Sequence, residues 1–142
     1  MPDPERVDRE RLQREIDRAS HNPVVDALLS AVDAALLVLN EHRQIVAFNS
    51  QVPSLSHPSQ ILGARPGEAL GCANAKGLGG CGTVRACETC GALGAVLTCL
   101  QGDHPVEAEF LVRKEPVGGL EFNARATPVL VGDSRFVVVS LR

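Results

Sequence analysis

The 142-residue chain contains neither tryptophan nor tyrosine, and only four phenylalanines. The protein is almost transparent at 280 nm, so any bound chromophore would stand out. An excess of positive charge is also missing. Lys and Arg total 14 against 17 Asp and Glu, a formal net charge of −3, and the basic residues are scattered. That excludes the clustered basic surface that nucleic acid or an anionic membrane requires. The longest apolar run, "ALLSAVDAALLVLN", contains Asp33 and is too short to span a bilayer. The first residues, "MPDPERVDRERLQREIDR", are dense in charge where a secretory signal needs an apolar core. A cytoplasmic protein is expected, with its thiols reduced or metal-bound. No Ser/His/Asp set or carboxylate pair suggests catalysis, so no enzyme is expected.

What the chain does have is cysteine in one place. "GCANAKGLGGCGTVRACETCG", Gly71 to Gly91, holds four of the five cysteines: Cys72, Cys81, Cys87 and Cys90. The spacing is C-x8-C-x5-C-x2-C. A C-x2-C turn brings two sulfurs to one point, and Cys90 falls at the start of a helical pattern, where the helix N-terminus favours thiolate. Gly77, Gly79, Gly80 and Gly82 allow the loop to bring in Cys72 and Cys81. Four thiolates suit an iron–sulfur cluster or a tetrahedral zinc ion. Lys76 and Arg85 lie inside the loop and offset part of the charge. The competing readings are a disulfide or thiol switch, and small buried side chains with no ligand at all. The arms match neither a zinc ribbon nor a ferredoxin. Cys99 sits among Val96, Leu97 and Leu100 and reads as core.

Other motifs carry less. Gly77-x-Gly79-x-x-Gly82 has the letters of a dinucleotide fingerprint, but no strand precedes it. Cys87-Glu-Thr-Cys90 lacks the βαβ surroundings of a thioredoxin-type pair. His21, His42, His57 and His104 fall in caps, turns and loops.

The periodicities order the elements. Asp3-Pro4 signals a charged helix over about residues 4–19, with Val7, Leu12, Ile16 and Ala19 as a thin apolar stripe. It is either a solvated arm or a dimerisation or signal-transfer helix. Asn22-Pro23 starts a second helix. Ala34–Asn40 and Gln44–Ser50 form a hairpin around "EHR". Pro53, Pro58 and Pro66 punctuate loops and short turns. Glu88–Gly102 is a helix ending at Gly102. Val106–Arg113, Leu120–Leu130 and Arg135–Leu141 are strands, and each phenylalanine falls in a strand. The fold class is α+β: an antiparallel five-stranded sheet with helices on one face, plus the N-terminal helix. Residues 1–20 form the helical extension and 21–142 the domain.

This order resembles the PAS domain. "DAALLVLNEHRQIVAFNS" is similar to its first hairpin, "ILGARPGEALGC" to the entry into its helical connector, and "ATPVLVGDSRFVVVSL" to its last two strands. The cysteine run resembles a bacterial PAS subgroup with a "PGEALGC…GCG…CxxCGA" signature. Cys72 falls where light-sensing PAS domains carry a flavin-reactive cysteine, but "GCANAKG" lacks their flavin-binding residues. The long helix also lacks the His that a haem-binding PAS domain uses. The resemblance implies a sensory pocket and a signal-transduction role without catalysis. A redox or oxygen sensor is expected, its iron–sulfur cluster held by Cys72, Cys81, Cys87 and Cys90. The alternative is a cofactor-free interaction module with structural cysteines or zinc. The implied partners are a second copy of the chain and a histidine kinase or other signalling output protein, with no nucleic acid and no membrane.

Overall fold

The computed structural model describes residues 4–20, 23–52, 58–114 and 117–142. Asp3, His21, Asn22, Pro53 and His57 lie outside them, so the two expected cap residues and three of the loop and cap features are not placed.

Alternating side chains build the sheet. Strands β1 (Ala35–Leu39), β2 (Ile45–Phe48), β3 (Val106–Arg113), β4 (Gly119–Val131) and β5 (Ser134–Leu141) pair antiparallel in the order β2-β1-β5-β4-β3. The last strand of the sequence sits in the middle. Ala35 pairs with Leu141 on one side of it, and Ala124 pairs with Leu141 on the other. Period-2 alternation then sends Leu37, Leu39, Phe110, Val112, Ala124, Ala126, Val137 and Val139 to one inner face, where all are buried. In β3, Phe110 and Val112 are buried between exposed neighbours, as the alternation predicts.

The β1–β2 turn is held by one side chain. Asn40 Oδ1 accepts from the N–H groups of His42 and Gln44, both at 2.9 Å. This Asx-type turn forces Arg43 to φ 66°, the left-handed region that side chains other than glycine seldom adopt.

Helices α1 (Arg9–Ser20), α2 (Pro23–Ala31), α3 (Pro58–Ile61), α4 (Pro66–Leu70) and α5 (Gly91–Gln101) complete the order. α4 and α5 cover the inner face and contribute Ala69, Leu70, Ala92, Ala95, Val96 and Cys99 to its core. Cys99 is fully buried and its Sγ donates to the Ala126 carbonyl at 3.1 Å, the core role expected of it.

The long helix is shorter than Glu88–Gly102. Cys90 is extended, with φ −70° and ψ 118°, and separates a 3-10 turn over Arg85–Thr89 from α5.

The N-terminal helix starts at Arg9, not near Pro4. Asp8 Oδ1 accepts from the Arg11 N–H at 2.8 Å and is the effective cap. Residues 4–7 are instead held outside the helix by other partners. The Val7 N–H donates to Gln44 Oε1 at 3.0 Å, and Arg65 Nη2 donates to the carbonyls of Pro4 and Glu5. Leu12, Ile16 and Ala19 pack α1 against Val38, Val46, Ala47 and Phe136 on the outer sheet face. The sheet thus carries a helix on each side. Among the described residues, no helix is long and apolar enough to cross a membrane.

Candidate functional site

The inner face does not close completely. A cavity of about 250 Å³ lies between β1, β3 and β5 on one side and the connector from α4 to α5 on the other. Its apolar wall includes Leu37, Leu39, Val96, Phe110, Val139 and Leu141. Its other wall holds Cys72, Cys81, Cys87 and Cys90. The structure therefore brings all four predicted residues to one cavity.

Different local devices place them. Gly71, at φ 77°, ends α4 and turns the chain so that Cys72 faces inward, 9% exposed. Gly80 and Gly82, at φ 78° and 84°, flank Cys81 and let the loop double back beneath α4. The 3-10 turn buries Cys87. Cys90 occupies the N-cap position of α5, as its spacing predicts.

The sulfurs have amide neighbours. The Gly67 N–H points at Cys81 Sγ, and the N–H groups of Leu93 and Ala92 point at Cys90. Burial nonetheless dominates. It pushes the Cys81 thiol up to about 11. The Gly67 amide opposes that shift, and Glu68, Cys90 and Cys87 add to it. Burial raises Cys90 too, against the two helix amides, with Cys87 and Cys72 contributing. The cysteines thus feel one another electrostatically. Contact at the α4 end is tight: a Cβ on Gly67 would sit 2.8 Å from Cys81 Sγ.

Among the described residues, no three His, Cys, Asp or Glu side chains stand grouped as they are for a single metal ion. Zinc needs its sulfurs about 2.3 Å from one point. An iron–sulfur core spreads its ligand sulfurs further apart than a single ion does. The four thiols share one cavity, and backbone amides face two of them, Cys81 and Cys90.

Three charged residues at this site are not apparent from sequence. Arg43 is buried, lines the cavity and lies over Gly82. Arg65 is fully buried. Its Nε donates to the His42 carbonyl at 2.9 Å, and its Nη1 reaches the carbonyls of Gly79 and Cys81, both at 3.4 Å. Burial, then Arg43 and Arg6, lower its pKa to about 10, while Glu68 and Cys81 oppose the fall. Glu68 accepts from the Arg65 and Cys81 N–H groups at 3.0 and 2.9 Å, and pairs with Arg6. Burial would raise its pKa, but these hydrogen bonds outweigh it and hold the carboxyl below its ordinary value. One signal was legible: Arg65-Pro66-Gly67-Glu68 puts Pro at the first helical position and Glu at the third. Lys76 and Arg85, by contrast, are exposed.

No protein-family model matches the sequence, and no curated protein is significantly similar to it. Solved structures are similar in shape. The PAS domain of an HTR-like protein from Haloarcula marismortui aligns with a TM-score of 0.54 and 15% identity, covering 94% of this chain and 98% of that one. The PAS domain of nitrogen regulation protein NR(II) from Vibrio parahaemolyticus aligns with a TM-score of 0.58 and 14% identity, over 85% and 98%. A LOV protein from Rhodobacter sphaeroides aligns with a TM-score of 0.54 and 12% identity, over 96% and 68%. At these identities the likeness speaks for the backbone alone. Together with the strand order and the cavity under the helical connector, it establishes that this chain has the PAS fold.

Proposed function

We propose that this chain is a signal-transduction sensor module in which Cys72, Cys81, Cys87 and Cys90 hold an iron–sulfur cluster and report redox state or oxygen. The observation that carries this reading is the convergence of all four cysteines on one cavity walled on its other side by apolar side chains. Such a wall limits water access, one of the levers that set a cluster's potential. The buried Arg43 guanidinium on the cavity wall faces the negative charge that four thiolates bring. Structural neighbours include a PAS domain from a two-component sensor histidine kinase, which supports a kinase or other signalling protein as the output partner. A second copy of the chain is the expected dimer partner. Among the described residues no arrangement suggests catalysis.

A second reading has its own support. The Cys81 thiol, raised to about 11, stays protonated at neutral pH unless a metal displaces the proton. Cofactor-free cysteines in an interaction module would look like this.

Iron and acid-labile sulfide analysis, with a visible spectrum, separates the two on protein purified without oxygen. The sensor reading expects iron, sulfide and a broad band near ~400 nm, all lost in Cys72→Ser and Cys81→Ser. One zinc per chain and no colour would make the cysteines a structural clasp. Neither metal, with free thiols and an intact fold, would leave the interaction module.

A further inference from the structure

Cys81 is held by its backbone as well as its sulfur, and the same two side chains that hold it also hold the N-terminal segment. The Cys81 N–H donates to Glu68 Oε2 at 2.9 Å, and that carboxylate also pairs with the Arg6 guanidinium, whose Nη1 donates to Oε1 at 3.1 Å. The Cys81 carbonyl accepts from Arg65 Nη1, while Arg65 Nη2 donates to Glu5 and Pro4 at 2.9 and 3.2 Å. Arg65 and Glu68 are rigidly related, since Glu68 Oε1 accepts from the Arg65 N–H at the start of α4. Residues 4–7 are thus strapped across the cysteine loop, and α1 begins immediately after them at the Asp8 cap.

We infer that Arg65 and Glu68 form a latch that couples the state of Cys81 to the strap at residues 4–7 and so to α1. Ligation of the Cys81 sulfur, or its release, shifts the short backbone between the left-handed Gly80 and Gly82. That shift lengthens the bonds to Arg65 and Glu68. Both groups are shared with the strap, so the strap loosens with them. A hydrogen bond to a charged group is strong enough that losing part of one changes strap occupancy severalfold. Coupling of this kind is reciprocal: freeing the strap must loosen Cys81 by the same factor.

The inference rests on the cysteine cavity being the sensing site, but its test needs no bound group. Hydrogen exchange of residues 5–8 is measured in the full chain without metal, for wild type, Cys81→Ala, Arg6→Ala and the double variant. Labelling of Cys81 by a maleimide is followed in parallel by peptide mapping. The latch expects each single change to raise exchange in residues 5–8 about tenfold, and the double variant to add little more. It also expects Arg6→Ala to speed Cys81 labelling about tenfold while Cys99 is unchanged. Additive effects, or Cys81 labelling unmoved by Arg6→Ala, would overturn it. If Cys81→Ala does not fold, the labelling of Arg6→Ala decides alone. Iron-free protein with coupled Cys81 and strap would sink the cluster reading and keep the latch. Iron-bound protein with additive effects would do the reverse.

Discussion

Arg65 directs its donors to backbone carbonyls of three separate segments, at His42, at Gly79 and Cys81, and at Pro4 and Glu5. Its partners lie as far as 61 residues away, and no local pattern announces such a hub. Arg43 is equally silent in sequence, since its left-handed backbone follows from Asn40 three residues earlier. The cysteines were legible because thiols seldom cluster in a glycine-rich run unless the chain brings them together. Gly67 is the sharpest residue-scale test. Its missing Cβ leaves room for Cys81 Sγ at 2.8 Å and for the Cβ atoms of Cys72 and Cys81 at 3.3 Å. Gly67→Ala is expected to cost about 1–3 kcal/mol, as overpacking does. It should also displace the Cys81 sulfur and raise its labelling rate. Urea unfolding and thiol labelling read the two effects; full stability with unchanged labelling would show that the loop absorbs the methyl group freely.

The strands were the most legible elements. Two apolar runs about a polar turn, the alternation of β3 and the phenylalanines of β2 to β5 locate all five closely, and the structure agrees on their antiparallel pairing. Helix ends were harder, because caps compete. Asp3-Pro4 carries a start signal, yet Pro4–Val7 is claimed by Arg65, Glu68 and Gln44, so the helix waits for Asp8. The 3-10 turns around the cysteines have no hydrophobic period to betray them. The thin stripe of α1 is visible in the sequence, but its target is not, because that target is built from strands far along the chain. It lies on the outer sheet face, against Val38, Val46, Ala47 and Phe136. Ile16→Asp places a charge against that cluster and is expected to destabilise the domain by about 2–3 kcal/mol. A midpoint shift in urea with an unchanged slope checks it. If the loss instead varies with protein concentration, α1 packs between copies of the chain.

At the scale of the whole molecule, the sheet and its helices pack a core that, among the described residues, opens into a cavity beside the cysteine wall. A domain of this size has apolar residues enough to fill its interior, and Cys99, Val137 and Ile45 show that it does so elsewhere, each fully buried. An apolar void costs about 24 cal/mol per Å³. The cavity of about 250 Å³ is partly open with some polar lining, so water enters it and its cost is smaller than that of a sealed apolar void of the same volume. That cost is the global counterpart of the cysteine wall: stability is given up where an occupant would restore it. Ala92, buried on the cavity wall beside the cap residue Cys90, separates filling from function. Ala92→Leu projects a larger apolar side chain into the space. In metal-free protein it is expected to stabilise the fold by about 1 kcal/mol. In protein reconstituted with iron and sulfide it should cut iron content severalfold, because the same volume is contested. Circular dichroism in urea and iron analysis give both numbers. Stabilisation with undiminished iron would place the group outside this cavity. Destabilisation of about 2 kcal/mol or more would mean that its walls are already in packing contact and hold no room for a cluster.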